Sequence, residues 1–150
     1  MMKIIYKVFV ALVAVILVAG CQSKNQGYVD QIVGEWHHQG SDSGVQEDVW
    51  VAFCADMTFE LYQKVGDGAY RSIAGRYSVN AAKKTISGMY DDNYPWRYDY
   101  KFEVNSKTLT LSVESDNYSV KYKREAIPSS VRQMSIPLVK SQSVEVSRCL

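Results

Sequence analysis

The sequence predicts an all-β protein: an up-and-down antiparallel barrel of about eight strands, followed by a C-terminal tail outside the barrel. Apolar and polar residues alternate along short segments, which is typical of strands with one buried face. The connections are short and rich in turn residues, which favours hairpins. Closure of so long a meander removes its exposed edges, which favours a barrel over an open sheet. A β-sandwich is the competing architecture, but long return connections are missing.

The clearest alternation lies in residues 96–104 (WRYDYKFEV), where Trp96, Tyr98, Tyr100, Phe102 and Val104 share one face. Charged residues occupy the positions between them, so one face is expected in the core and the other in water. The other strands are predicted at 34–38, 49–53, 57–63, 71–79, 84–88, 107–113 and 119–124.

Residues 126–150 break this alternation and form the predicted tail. Pro128 is expected to start a single helical turn over 129–134 (SSVRQM), because proline suits the first position of a helix. Pro137 cannot donate a ladder hydrogen bond and blocks regular pairing in a central strand. The apolar residues of the tail, Leu150 among them, predict that it lies across the barrel rather than completing it.

The N-terminal residues predict export. Lys3 and Lys7 flank the start of an apolar run that is shorter than the roughly 20 residues of a membrane span, as in a secretory signal peptide. Residues 18–21 (VAGC) resemble the lipobox of bacterial lipoproteins, in which the cysteine is acylated. The resemblance implies a signal peptide over 1–20 and a lipid on Cys21, and the polar residues up to 31 predict a tether. The alternatives are an ordinary signal peptide with an unrelated cysteine, or a short membrane anchor.

Composition excludes some functions. Without Lys3 and Lys7, fifteen basic residues face 16 acidic ones, a formal charge of −1, so no basic field for nucleic acid is expected. The length suits one domain, predicted over 32–125. Cys54 and Cys149 are a candidate disulfide in an exported chain, with two buried free thiols as the alternative.

Gly34 and Trp36 match the G-x-W motif of lipocalins, which are small up-and-down barrels that often hold an apolar ligand. Arg124 stands where lipocalins place an arginine over that tryptophan at the closed end, and such a contact is worth about 1 kcal/mol when shielded. The chain also resembles short lipocalin-like lipoproteins of Bacteroidetes, through FCADMTF at 53–59 and GRY at 75–77. With Gln rather than Asp after Cys21, the resemblance implies an outer-membrane lipoprotein of the bacterial cell envelope.

The two histidines, His37 and His38, are adjacent, so their side chains are expected on opposite faces of the first strand. They cannot share one metal without a bulge, and zinc takes three or four protein ligands. We interpret them as packing residues, with haem ligation by His38 as the alternative. We expect no metal site and no cofactor. No nucleophile has an adjacent base, so we predict that the protein is not an enzyme.

The inward aromatic residues predict a ligand pocket. Tyrosine hydroxyls inside a barrel need partners, which indicates apolar walls with a few polar groups. The predicted lining comprises Tyr77, Trp96, Tyr98, Tyr100, Phe102 and Tyr122. The loops 41–46 and 90–95 are expected at the mouth, away from Trp36. We therefore expect a monomeric, membrane-anchored binding protein for a small, largely apolar molecule. The alternative is a structural or protein-interaction lipoprotein with a filled barrel.

Overall fold

The computed structural model describes residues 24–42, 44–138 and 150, and within them eight antiparallel strands form a closed barrel. The strands are β1 (Gly34–Asp42), β2 (Val45–Phe53), β3 (Thr58–Val65), β4 (Arg71–Asn80), β5 (Thr85–Tyr90), β6 (Tyr100–Val104), β7 (Thr108–Val113) and β8 (Tyr118–Arg124). Each strand pairs with the next, and β8 returns to β1 through the pair Trp36 and Arg124. The predicted fold class is therefore confirmed.

Alternating burial fills the barrel interior. In β7, Leu109 and Leu111 are buried while the threonines beside them are half-buried, and in β6 Tyr100 and Phe102 are buried between exposed charges. These residues belong to one continuous core cluster that reaches every strand of the barrel. Its period of two follows from the pleat, which turns successive side chains to opposite faces.

The predicted strand over 96–104 is wrong in its first half. β6 begins at Tyr100, and residues 91–99 form a loop in which Pro95 makes an isolated bridge to Met89. Trp96 is nevertheless buried, and its backbone N–H donates to Gly88 O at 2.9 Å. Here the alternation in the sequence indicates that the Trp96 side chain is buried, but the backbone around it is not paired in a regular strand. As a result, β5 and β6 pair at only two positions.

The predicted tether, 21–31, also differs from the structure. Residues 24–32 form a helix, α1, in which Val29 and Ile32 are buried. Asn25 Oδ1 accepts a hydrogen bond from the Ala81 N–H at 2.8 Å, which ties the helix to the barrel. The folded domain therefore includes α1, because a short polar helix is stabilised by docking rather than by its own propensity.

The tail after β8 packs on the outer wall. The predicted helical turn is confirmed as α2 (Ser129–Met134), preceded by Pro128. Val131 is buried against a second apolar cluster that includes Trp50 and Tyr62, on the outer face of β2 and β3. A two-residue strand, β9 (Ile136–Pro137), then runs parallel to the start of β4.

Candidate functional site

The connections of the barrel divide between two ends, because strand direction alternates in an up-and-down barrel. We call the end with α1 and the turns 54–57, 81–84 and 105–107 the closed end. We call the opposite end, with Gly44 and the connections 66–70, 91–99 and 114–117, the open end. The loops predicted to flank the mouth therefore lie together at the open end.

Arg124 organises the closed end. Its guanidinium carbon lies 4.1 Å from the centroid of the Trp36 ring, which is the contact expected from the sequence. The guanidinium also donates to Val33 O at 3.0 Å and Gln31 O at 2.7 Å, while Nε donates to Ser106 O at 3.0 Å. The arginine thus joins the end of α1 to the β6–β7 turn above a buried indole.

Gly34 is required by the same arrangement. Its φ of +141° lies outside the range that other residues adopt readily, and an added Cβ would lie 2.2 Å from Arg124 Nη1. The indole Nε1 of Trp36 donates to Ile32 O at 2.8 Å, so its polar atom is satisfied. The G-x-W pattern therefore has a local physical cause: the glycine makes room for the arginine that covers the tryptophan.

The six predicted pocket residues separate into groups along the barrel. Trp96, Tyr98 and Tyr100 form one group, carried by the 91–99 connection of the open end and the start of β6, with ring centroids 6.2 Å apart for Trp96 and Tyr100 and 5.7 Å apart for Tyr98 and Tyr100. Phe102 instead contacts Tyr28 of α1 at 5.2 Å, and the Tyr77 hydroxyl donates to Cys54 O at 2.8 Å. Phe102 and Tyr77 therefore belong to the closed end.

Tyr122 lies between these two groups, and its ring centroid is 5.6 Å from that of His38. Only the group at the open end, Trp96, Tyr98 and Tyr100, stands beside loops that reach the rim. Tyr98 is half-buried, and its hydroxyl donates to Asp116 on the 114–116 turn. A candidate pocket at the open end therefore involves half of the predicted lining.

Leu150 occupies the barrel interior together with these aromatic residues. Its exposed fraction is 1%, and it belongs to the core cluster although it comes from the tail and not from the barrel wall. The hydroxyl of Tyr90, the last residue of β5, donates to Leu150 O at 2.6 Å. Tyr118, the first residue of β8, also belongs to this site, because its ring centroid lies 6.2 Å from those of Tyr98 and Tyr100. The expected lining did not include Tyr90 or Tyr118. The alternation of Ile86, Gly88 and Tyr90 was the signal that points Tyr90 inward.

Within the group of Trp96, Tyr98 and Tyr100, the polar atoms of Trp96 and Tyr100 are shielded from water. Burial, with smaller effects from neighbouring tyrosines, raises the pKa of Tyr100, so its phenol stays neutral. The indole Nε1 of Trp96 is buried without a hydrogen-bond partner among the described residues. Because an unpaired buried N–H costs free energy, this atom is the clearest polar feature of the candidate site.

The histidines lie on opposite faces of β1, as expected. His37 stacks on Trp50 on the outer wall, with ring centroids 3.6 Å apart, and its two ring nitrogens contact Asp48 at 2.8 Å and Glu125 at 2.9 Å. His38 faces the interior, and its Nδ1 lies 3.0 Å from Lys121 O. Within the described residues, no three His, Cys, Asp or Glu side chains come together as metal ligands.

The cysteine predictions stay predictions. Cys54 is half-buried with a free thiol in the part of the chain that the structure describes. Cys149 and Cys21 lie outside the described residues, so the structure tests neither the candidate disulfide nor the acylation. No helix among the described residues has the length and apolar character to span a membrane.

Comparisons with known proteins bear on the fold alone. No protein-family model matches the chain, and no curated protein matches it. A solved structure, the NMR structure of a protein from Bacteroides uniformis ATCC 8492, is similar with a TM-score of 0.52. The two chains are 19% identical, and the similarity covers 66% of this chain and 93% of the other. The barrel architecture is thus shared with a Bacteroides protein.

Proposed function

We propose that the protein binds a small, largely apolar molecule at the open end of the barrel, in the space that Leu150 occupies here. The buried position of Leu150 carries the proposal: an aliphatic side chain from outside the wall sits in the aromatic interior, with its main-chain oxygen accepting from Tyr90. A site that takes up an isobutyl group and a main-chain oxygen is suited to an apolar ligand with a polar atom.

The surrounding chemistry supports the same class of ligand. Trp96 and Tyr100 offer apolar ring faces, and the Trp96 Nε1 is a donor in need of an acceptor. A ligand oxygen would satisfy that donor and would gain from its low-dielectric setting.

We assign the protein to lipid-anchored proteins of the bacterial envelope, attached at Cys21, with a monomeric, lipocalin-like barrel and a binding rather than a catalytic role. The lipobox residues 18–21 support the anchor, and the stacking of Arg124 on Trp36 supports the lipocalin-like assignment. An outer-membrane location follows from the residue after Cys21. Replacement of Cys21 by Ala is expected to release the protein from the membrane fraction.

A filled barrel with a structural or protein-interaction role is the second candidate, and the ring packing favours it. Trp96 contacts Phe53, Phe59 and Tyr100 with centroid distances of 5.1–6.3 Å. Its indole lies so close to Gly88 that an added Cβ would be 2.2 Å from it. In this candidate Leu150 is a permanent part of the core and nothing replaces it.

Binding of an apolar fluorescent probe, N-phenyl-1-naphthylamine, distinguishes the two candidates. If Leu150 competes with ligands, Leu150→Ala raises the apparent affinity for the probe several-fold, because a larger fraction of the protein has a free site. Met134→Ala, which shortens an exposed side chain of the tail, is the matched control and leaves the affinity unchanged. Native mass spectrometry of protein from its own host then identifies the natural ligand.

The opposite result is equally clear. If neither the native protein nor Leu150→Ala binds the probe or any of fatty acids, bile acids, sterols and haem, while Leu150→Ala is destabilised by about 2–5 kcal/mol, Leu150 is a core residue. The filled-barrel candidate then stands.

A further inference from the structure

The proposed acylation site lies very close to the folded domain in sequence. Cys21 precedes Lys24, the first described residue of α1, by three residues. A fully extended chain advances at most ~3.6 Å per residue, so Cys21 reaches no further than about 11 Å from Lys24. Because α1 is fixed to the closed end through Asn25 and Arg124, a lipid on Cys21 would hold that end at the bilayer surface.

Exposed basic residues are concentrated at the closed end. Lys24 lies on α1, Lys83 and Lys84 on the β4–β5 turn, and Lys107 on the β6–β7 turn. None of these four lysines makes an ion pair with a described residue. The exposed acidic residue on these same elements is Asp30 of α1. Asp56 is exposed on the remaining closed-end turn, 54–57, and is already engaged by Thr58.

The open end has the opposite charge. Asp67, Asp91, Asp92 and Asp116 lie on its connections, and Arg97 is the basic residue among them. An anionic membrane surface attracts basic groups within about a Debye length and repels acidic ones. The charge distribution and the short tether therefore favour the same orientation.

A polar groove runs from α1 and the β4–β5 turn along the outer face of β4 and β5. It has a volume of about 690 Å³, and its lining includes Lys24, Asn25, Asn80, Lys83 and Asp99. The two ammonium groups and the amide donors at the closed end suit the phosphate of a phospholipid headgroup, whereas the carboxylate of the lining, Asp99, belongs to the 91–99 connection of the open end.

We infer that the closed end of the barrel rests on the membrane, with Lys24, Lys83 and Lys84 contacting anionic phospholipid headgroups and the groove receiving a headgroup phosphate. The inference rests on the proposed lipid anchor. It places the open end away from the bilayer, so a ligand enters from the aqueous phase and not directly from the lipid.

Lysine labelling of the acylated full chain tests this orientation. The protein is reconstituted into vesicles of phosphatidylethanolamine with phosphatidylglycerol, or of phosphatidylcholine alone, and labelled with a membrane-impermeant amine reagent. Each lysine is compared with itself in detergent by mass spectrometry. We expect labelling of Lys24, Lys83 and Lys84 to fall several-fold in the anionic vesicles and less in phosphatidylcholine, while Lys64 near the open end is unchanged.

Charge reversal supplies the matched control. The double variant Lys83→Glu and Lys84→Glu should lose the extra protection of Lys24 in anionic vesicles, whereas Lys101→Glu with Lys121→Glu, on the barrel wall away from the closed-end turns, should keep it. The inference would be overturned if the ratio of labelling in vesicles to labelling in detergent were the same for Lys24 and Lys64. Equal protection of Lys24 in both vesicle types would overturn it as well. Failure of the anchor itself gives a different result, because the native chain and Cys21→Ser would then bind vesicles equally weakly.

Discussion

Arg124 shows how one planar side chain holds several parts of the closed end. It covers the Trp36 ring and donates to carbonyls at residues 31, 33 and 106, which lie at the end of α1 and in the β6–β7 turn. Arginine alone offers this rigid fork of donors together with a face that stacks on an indole. Lysine keeps the charge and loses both properties.

We therefore expect Arg124→Lys to lower the free energy of unfolding by about 1–2 kcal/mol, since at least two hydrogen bonds and the stacking contact are lost. Urea unfolding followed by tryptophan fluorescence measures the change. Lys123→Gln, an exposed change at the neighbouring position, should stay within about 0.5 kcal/mol. Similar values for the two variants would mean that Arg124 is not a structural cap.

Gly88 lets Trp96 lie against the backbone of β5. A Cβ at Gly88 would be 2.2 Å from the Trp96 Cε2 atom, so Gly88→Ala must displace the ring. We expect a loss of about 1–3 kcal/mol, as for other overpacked cores. The control is Gly68→Ala, whose added Cβ would come no closer than 4.0 Å to Val65 O. Combining Gly88→Ala with Trp96→Leu should recover part of the loss, and strict additivity would contradict the contact.

Tyr77 makes stability depend on pH above 10. Burial raises its pKa from the ordinary 10.0 to about 12, so the unfolded chain loses this proton first as pH rises. The stabilising effect is complete below pH 10 and is lost as pH rises through 12. Between pH 10 and pH 12, the free energy of unfolding should fall less for Tyr77→Phe than for the native protein, and the difference between the two falls should be about 1–3 kcal/mol. Identical slopes for the two proteins would exclude Tyr77 as the cause.

At the scale of elements, α2 depends on the barrel wall. Six residues are too few for an isolated helix, so its contacts must supply the stability. Val131 provides the apolar contact, and the Arg132 guanidinium donates to Glu35 and Glu60, both at 2.5 Å. These carboxylates belong to β1 and β3, which lie on either side of β2. The single Arg132 side chain therefore spans three neighbouring strands and holds the tail on them.

The ion pairs of Arg132 are partly exposed, with 36% of its side chain accessible, so their net contribution to stability is limited. We expect Arg132→Gln to cost about 1 kcal/mol at low salt and clearly less in 1 M NaCl, where exposed charges are screened. Unfolding in urea at both salt concentrations measures this. Arg76→Gln removes the same charge from an exposed position that makes no ion pair with any residue the structure describes, and it should show neither effect. A loss that is independent of salt would indicate packing instead.

For the whole molecule, the seams between β5 and β6 and between β8 and β1 are the two most sparsely paired parts of the closed barrel. Each has two paired positions, whereas β1 and β2 pair at nine. Local opening follows the number of hydrogen bonds that must break, so these two seams should open before the rest of the barrel. The β5–β6 seam adjoins the 91–99 loop, which places this weakness beside the proposed ligand site.

Hydrogen exchange should reveal this difference. We expect amides of residues 85–104 to exchange faster than those of 45–53, and a bound apolar ligand should slow the first group selectively. Mass spectrometry of peptic peptides, with and without N-phenyl-1-naphthylamine, provides the measurement. Uniform protection around the barrel would show that the eight strands open only together.

The sequence by itself determined the barrel, the terminal helix turn after Pro128 and the pairing of Trp36 with Arg124. All three depend on signals that are local in the chain or fixed by strand count: a period of two, a proline and a motif at each end of the meander. The same alternation placed Trp96 in the core, because burial of a side chain depends on the face it occupies.

Only the tertiary structure decided what lies inside and against the barrel. Leu150 enters the interior beside Tyr90, α1 docks where a tether was expected, and His37 stacks on Trp50 of the next strand. None of these contacts has a periodic signature, because each joins segments whose distance depends on barrel closure and strand tilt. Short helices and single docking residues gain their stability from the surface that receives them, and that surface exists only after the chain has folded.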